Sequence, residues 1–211
     1  MIAAHQIGLA DLANGHRKAF RRFLRSDDSL SAPEYSQNVF RFWRLACPPS
    51  LHAWMTYKDQ YKDSDSRRVT KDIREFMVDL AWIDYGNRHV DQSRRVPSLE
   101  LALESEYGRR PINGERAWDD VYEDFEKLLY LRTPRKVYLF AARDEAKPEK
   151  LLGHMERWIL GHRHKPAESE QWLLLCHVLA SRQRLRRIVG VITDSFGEHR
   201  APLAFSREPE E

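Results

Sequence analysis

Between Val78 and Tyr107 the chain alternates apolar and polar residues with period two. It does so in two arms, VDLAWID and PSLELALESEY, separated by a polar stretch around Gly86 to Arg95. Period two sends successive side chains to opposite faces of a sheet, so each arm reads as a strand and the two as antiparallel neighbours. Leu80 and Trp82 of the first arm match Leu99, Leu101 and Leu103 of the second, giving one apolar face. The other face carries Asp79, Ala81 and Ile83, then Glu100, Ala102, Glu104 and Glu106. Pairing Asp84 with Leu99 keeps the apolar sets together, and a slip of one residue would break the match. That register sets Asp79 opposite Glu104.

Directly opposed residues share a face, with Cβ atoms about 4.5–5.5 Å apart. Asp79, Glu104 and Glu106 are therefore expected to converge, beside the small side chains of Ala81 and Ala102. Close carboxylates repel one another, and a hard divalent cation bound through oxygen relieves that repulsion. The plainer reading is a solvated acidic face on an ordinary hairpin. Asp84 competes as a ligand but falls on the Leu80/Trp82 face. Glu75, just ahead of the first arm, fits an exposed helix glutamate better than a ligand.

A chain of 211 residues, 42% of them hydrophobic, can bury a full core, most simply as one α/β domain with an appended segment. Six Trp, nine Phe and eight Tyr argue against disorder. A net charge of +3 permits an anionic partner without requiring one. Cys47 and Cys176 lie far apart, and Cys176 sits in the apolar run WLLLCHVLA as a buried thiol. The first residues lack a secretory pattern, and no apolar run approaches the ~20 residues of a membrane span. The expectation is a cytoplasmic protein in a reducing compartment, with no membrane partner.

Residues 8–25 place Leu9, Leu12, Phe20 and Leu24 on a helical stripe, with Arg17, Lys18, Arg21, Arg22 and Arg25 around it. A surface helix is the first reading and a phosphate-facing basic helix the second. SDDSLSAPE is a break, and NVFRFWRLA is a short apolar segment ended by Pro48 and Pro49. Trp43, Trp54, Tyr57 and Tyr61 read as core and only secondarily as base-stacking aromatics. Ser64–Phe76 has the cap and stripe of a helix, and Gly108–Gly114 reads as a loop.

Trp118–Leu131 is an amphipathic helix that buries Val121, Phe125, Leu128 and Leu129, with Asp120, Asp124 and Lys127 on another face. Residues 136–142 predict a central strand. Pro148 opens a helix with Leu151, Leu152, Met155 and Ile159 inward. Trp172–Ala180 and Arg187–Thr193 predict two last strands around the basic turn SRQRLRR, and SREPEE reads as frayed. His154, His162 and His164 lack partners at zinc-ligand spacing and read as surface histidines. The order of strands and helices predicts an α/β fold, a mixed β-sheet flanked by helices. Residues 1–62 form a mainly helical N-terminal extension, and 63–211 form the α/β core.

These residues resemble the PD-(D/E)xK, or restriction-endonuclease-like, nuclease superfamily over residues 65–195. VDLAW offers Asp79 for the family's first-motif aspartate, and LALESEY offers Glu104 for the acidic position of (D/E)-x-K. Glu106 stands where the family has lysine. Some members carry glutamate there; in others the lysine has moved to the following helix, where Lys127 stands. The resemblance implies a restriction-endonuclease-like sheet and Mg²⁺ (or Mn²⁺) held by Asp79, Glu104 and Glu106, with a backbone carbonyl near Ser105 as a further candidate ligand. It implies hydrolysis of phosphodiester bonds in nucleic acid, DNA by expectation, with Asp79, Glu104, Glu106 and Lys127 as the catalytic set.

If neither substitution holds, it implies a catalytically inactive nuclease-like module that binds nucleic acid or protein. A metal-free interaction domain with an acidic face is the third alternative. Arg182, Arg184, Arg186 and Arg187, with the amino-terminal basic helix, would contact the nucleic-acid backbone or are ordinary solvated arginines. A homodimer is compatible with the pattern.

Overall fold

Two apolar runs, KVYLFAA and WLLLCHVL, are too uniformly hydrophobic for a strand with one wet face, so helices must cover both of their sides. The computed structural model describes residues 8–26, 28–55, 78–85, 97–107, 116–143, 147–162, 170–180 and 183–206, with the side chains of 116–120 excepted. In it these runs are β4 (Arg135–Arg143) and β5 (Gln171–Leu179), buried almost throughout. They are the middle of a mixed seven-stranded sheet with β1 (His52–Met55), β2 (Leu80–Asp84), β3 (Ser98–Tyr107), β6 (Leu185–Asp194) and β7 (Ala201–Ser206). The strands stand in sequence order. β3, β4 and β5 run parallel to one another, and antiparallel pairs extend the sheet on both sides.

Parallel neighbours need a crossover, and here each crossover is a helix: α4 (Arg116–Tyr130) and α5 (Pro148–Gly161). Two successive crossovers of the same hand, stepping the same way across a sheet, put their helices on one face. Both helices pack there, Val121, Phe125 and Leu128 of α4 and Leu151, Leu152 and Met155 of α5 meeting Ala81, Ala102, Tyr138 and Leu174. On the opposite face lie α1 (Leu9–Ala19), α2 (Arg21–Arg25) and α3 (Ala32–Leu45), packed on Leu80, Trp82, Leu101, Leu103, Val137 and Leu173. Residues 8–26 and 28–45 thus supply the cover of one sheet face.

Local sequence explains the helix starts. In α3, Ser31 Oγ accepts the Glu34 amide while the Glu34 carboxylate accepts the Ser31 amide, a capping box that satisfies both orphan donors. Trp82 Nε1 donates to the Trp43 carbonyl at 3.1 Å and pins α3 to the sheet. Gly190 in β6 lies where an added Cβ would stand 2.3 Å from the Leu174 carbonyl oxygen, so only glycine fits.

Several sequence readings change. The single helix over 8–25 is two, α1 and α2, separated at the buried Phe20. NVFRFWRLA is the second part of α3, and Trp43 is wholly buried as core. β1 and β7 have no counterpart in the predicted order. The β2–β3 register holds as predicted for Leu80↔Leu103, Ala81↔Ala102 and Trp82↔Leu101, and then shifts. Ile83 pairs with Leu99 and Asp84 with Ser98, leaving Glu100 as the extra residue of a bulge. One added residue reverses the facing of what precedes it, so Leu99 packs with the α4/α5 cluster instead of with Leu101 and Leu103. Outside the described residues lie Tyr57, Tyr61, the predicted helix Ser64–Phe76 with Glu75, and the turn region around Gly86–Arg95. The same holds for Gly108–Gly114, the Asp120 side chain, His164, Arg182 and residues 207–211.

Candidate functional site

Asp79 immediately precedes β2, and the unshifted part of the β2–β3 register brings it across from Glu104 on the α4/α5 face. Its Oδ2 accepts the Ser105 amide at 2.9 Å, and its carboxyl group hydrogen-bonds that of Glu104. At Ser105 it is the N–H group that meets the acidic pair. Glu104 is 3% exposed, beside Ala102 on its own strand and Tyr138 on β4. Tyr138 in turn donates from its hydroxyl to the Val121 carbonyl of α4 at 2.6 Å, tying the helix over the sheet.

α4 adds the counter-charge. Lys127 Nζ lies 4.0 Å from Glu104 Oε1 and donates to Asp124, one helical turn earlier. Asp124 shared a predicted face with Lys127, but nothing in the sequence placed it at the acidic pair; the i, i+3 spacing within DFEK was the available signal. Glu106 follows Glu104 by two residues on the same face of β3, half-buried and paired in register with Phe140. Asp84 is half-buried and falls, by alternation, on the other face of β2.

The electrostatics follow from burial. Desolvation raises the Asp79 carboxyl to about 6, against the opposing Ser105 hydrogen bond, with Asp124 adding repulsion. Desolvation and then the Asp79 charge raise Glu104 to about 9, with Lys127 opposing. At neutral pH the pair therefore keeps one proton, on Glu104, donated to the Asp79 carboxylate. Burial alone would lower the Lys127 ammonium, but its bond to Asp124 and the fields of Glu104 and Asp79 outweigh this and hold it above the ordinary lysine range. A buried pair of carboxyls that share one proton is an all-oxygen donor set, the kind that suits a hard divalent cation.

A second acidic group reads differently. Asp194, Glu198 and His199 offer ligand atoms within 4.8 Å of one another. Asp194 Oδ1 already accepts the Phe196 and Glu198 amides, and Oδ2 accepts the His199 amide and pairs with its Nδ1. Four partners on two oxygens make this a clamp on the β6–β7 turn. Among the predicted surface histidines, His154 contacts the Tyr122 hydroxyl and His162 packs on Tyr130. Arg187 is engaged with Glu149 at 2.6 Å.

No protein-family model matches the chain, and neither the curated proteins nor the solved structures compared with it include a match. Among the described residues no helix is long and apolar enough to cross a membrane.

Proposed function

We propose that the chain is a metal-dependent nuclease of the PD-(D/E)xK type, hydrolysing phosphodiester bonds of nucleic acid, DNA in the first instance. The observation that carries the reading is the meeting of Asp79 and Glu104 on one sheet face with the Lys127 ammonium 4.0 Å away. Support comes also from the α/β order that follows β2 and β3: a helix, a parallel strand, a further helix and more strands.

Asp79 and Glu104 would hold Mg²⁺ or Mn²⁺, with Glu106 as a further oxygen ligand or general base. When bound, such a cation lowers the pKa of a coordinated water and offsets charge on the phosphate oxygens. The Glu104 proton must leave as the cation arrives, and the Ser105 amide keeps the Asp79 carboxylate turned toward its partner. Lys127, a compact cation on a flexible stem, would orient the nucleophile or stabilise the phosphoryl charge. Asp124 holds the ammonium at the rim of the pair.

Incubation of plasmid and single-stranded DNA with Mn²⁺ tests the proposal, with calorimetry of Mn²⁺ binding in parallel. Cleavage and binding that both vanish in Glu104→Gln are expected; cleavage that survives in that variant overturns the assignment. One observation favours a second reading, a catalytically inactive module that binds nucleic acid or protein: Glu106 occupies the family's lysine position while Lys127 is engaged by Asp124. Salt-sensitive DNA binding without strand scission would select it.

A further inference from the structure

Burial leaves one group of rings outside the core. Among the described residues five large apolar side chains are exposed, and four of them, Tyr130, Trp158, Leu160 and Phe196, lie around the last turn of α5. Glu126, Leu129 and Tyr130 of α4 and Arg157, Trp158 and His162 at the end of α5 line a groove of about 430 Å³ between the two helices. Leu160 lies against the β6–β7 turn, where a Cβ added at Gly197, beside Phe196, would stand 2.9 Å from its Cδ2. The exposed rings are held in place. Trp158 packs on Tyr122 with 4.7 Å between centroids, and Tyr130 stands edge-on to His162 at 5.4 Å. Rings fixed in this way lose little freedom when covered, and tyrosine, tryptophan and arginine are the residues enriched at protein–protein contacts.

The charges on the two helices fix the kind of partner. The exposed face of α4 carries Glu123 and Glu126, at i and i+3; that of α5 carries Lys150 and Arg157, at i and i+7. Glu126 and Arg157 form no ion pair among the described residues, although both stand at the groove. A partner of one sign would meet its own charge on one of the helices. A second copy of this chain does not. Across a two-fold axis residue i of one copy meets residue j of the other while j meets i, so an acidic helix beside a basic one is complementary to itself.

We propose that α4 and α5 form a two-fold interface between two copies of this chain. The acidic face of α4 lies on the basic face of α5 from the other copy, Glu126 meets the partner subunit's Arg157, and the Tyr130 and Trp158 rings pack at the centre. The proposal stands apart from the nuclease reading, because Asp124 and Lys127 turn another side of α4 toward Glu104.

Sedimentation velocity on the full chain tests it, in a concentration series rising to about 0.5 mM, which populates even a dimer of submillimolar Kd. Wild type should pass from monomer to dimer. Glu126→Arg alone and Arg157→Glu alone each bring like charges together at both symmetry-related contacts, and each should weaken association at least about tenfold. An equimolar mixture of the two variants restores opposite charges at both contacts. It should form a dimer that native mass spectrometry identifies as one copy of each. A wild type that stays monomeric throughout, as it would if the groove were covered by its own chain or by another molecule, overturns the proposal. So do single variants that associate as wild type does, or a mixture that stays monomeric.

Discussion

Glu104 is the residue on which burial and charge collide. A carboxyl that is 3% exposed and beside another carboxyl stays protonated unless a cation replaces the proton. Its folded pKa, about 9, lies above the ordinary glutamate value, so its contribution to stability is complete at acid pH and is lost as pH rises through the folded value. The limiting slope is about 1.4 kcal/mol per pH unit. Glu104→Gln keeps a neutral donor facing Asp79 and removes this titration. Urea denaturation without divalent metal should find the variant close to wild type near pH 5 and the more stable of the two at pH 9. A wild-type curve flat between those values would contradict the buried, proton-sharing pair. Asp79→Ala has a different cost, because it takes the acceptor from the half-buried Ser105 amide; a loss of about 1 kcal/mol at pH 7 is expected in the same assay.

Elements meet through side chains whose chemistry sets the conditions under which they stay together, and α1 on β5 is the clearest case. His16 Nε2 and His177 Nε2 lie 3.1 Å apart, both rings wholly buried. Phe20 packs on both rings, Phe42 and Trp43 on His16, and Tyr35 edge-on to His177. Burial lowers His177 to about 3 and His16 well below its usual value, with the neighbouring imidazole adding to the latter. A depressed histidine leaves stability intact above the unfolded value near 6.5. It takes stability away as pH falls from there toward the folded value, while the unfolded chain binds the extra protons. Acid should therefore unfold the chain earlier than carboxylate titration alone predicts. His16→Leu/His177→Leu should flatten the stability profile between pH 6.5 and 4 while changing little at pH 8, since it removes both partners of the Nε2–Nε2 hydrogen bond together and leaves neither one stranded. A double variant as acid-sensitive as wild type would move the acid response elsewhere.

The sheet and its helices reconcile sequence and structure unevenly, for reasons that lie in the residues. β2, β3, β4 and β5 were legible because burial on one or both faces writes a period of two or an unbroken apolar run. The Asp79–Glu104 meeting was legible because a register constrains both arms at once, and the bulge at Glu100 falls on the far side of that pair. β1 is four residues of mixed burial and β7 an edge strand with only Leu203 and Phe205 half-buried, too short and too exposed to mark themselves. Asp124 was not legible as a site residue, because its placement depends on how α4 sits over β3. Nor did the pattern reveal that α1, α2 and α3 close one whole face of the sheet. That closure gives the last expectation. Removing residues 1–50 would uncover Leu80, Trp82, Leu101, Leu103, Val137, Leu139, Leu173 and Leu175, all core side chains of that face. At about 1.5–3 kcal/mol for each buried side chain, their exposure costs on the order of 10–20 kcal/mol, as much as the 5–15 kcal/mol by which folded domains are usually stable. The truncated chain should bind a hydrophobic dye, lose its cooperative thermal transition and aggregate. A soluble, monomeric 51–211 fragment with a sharp transition would mean that this sheet face does not depend on the helices that cover it.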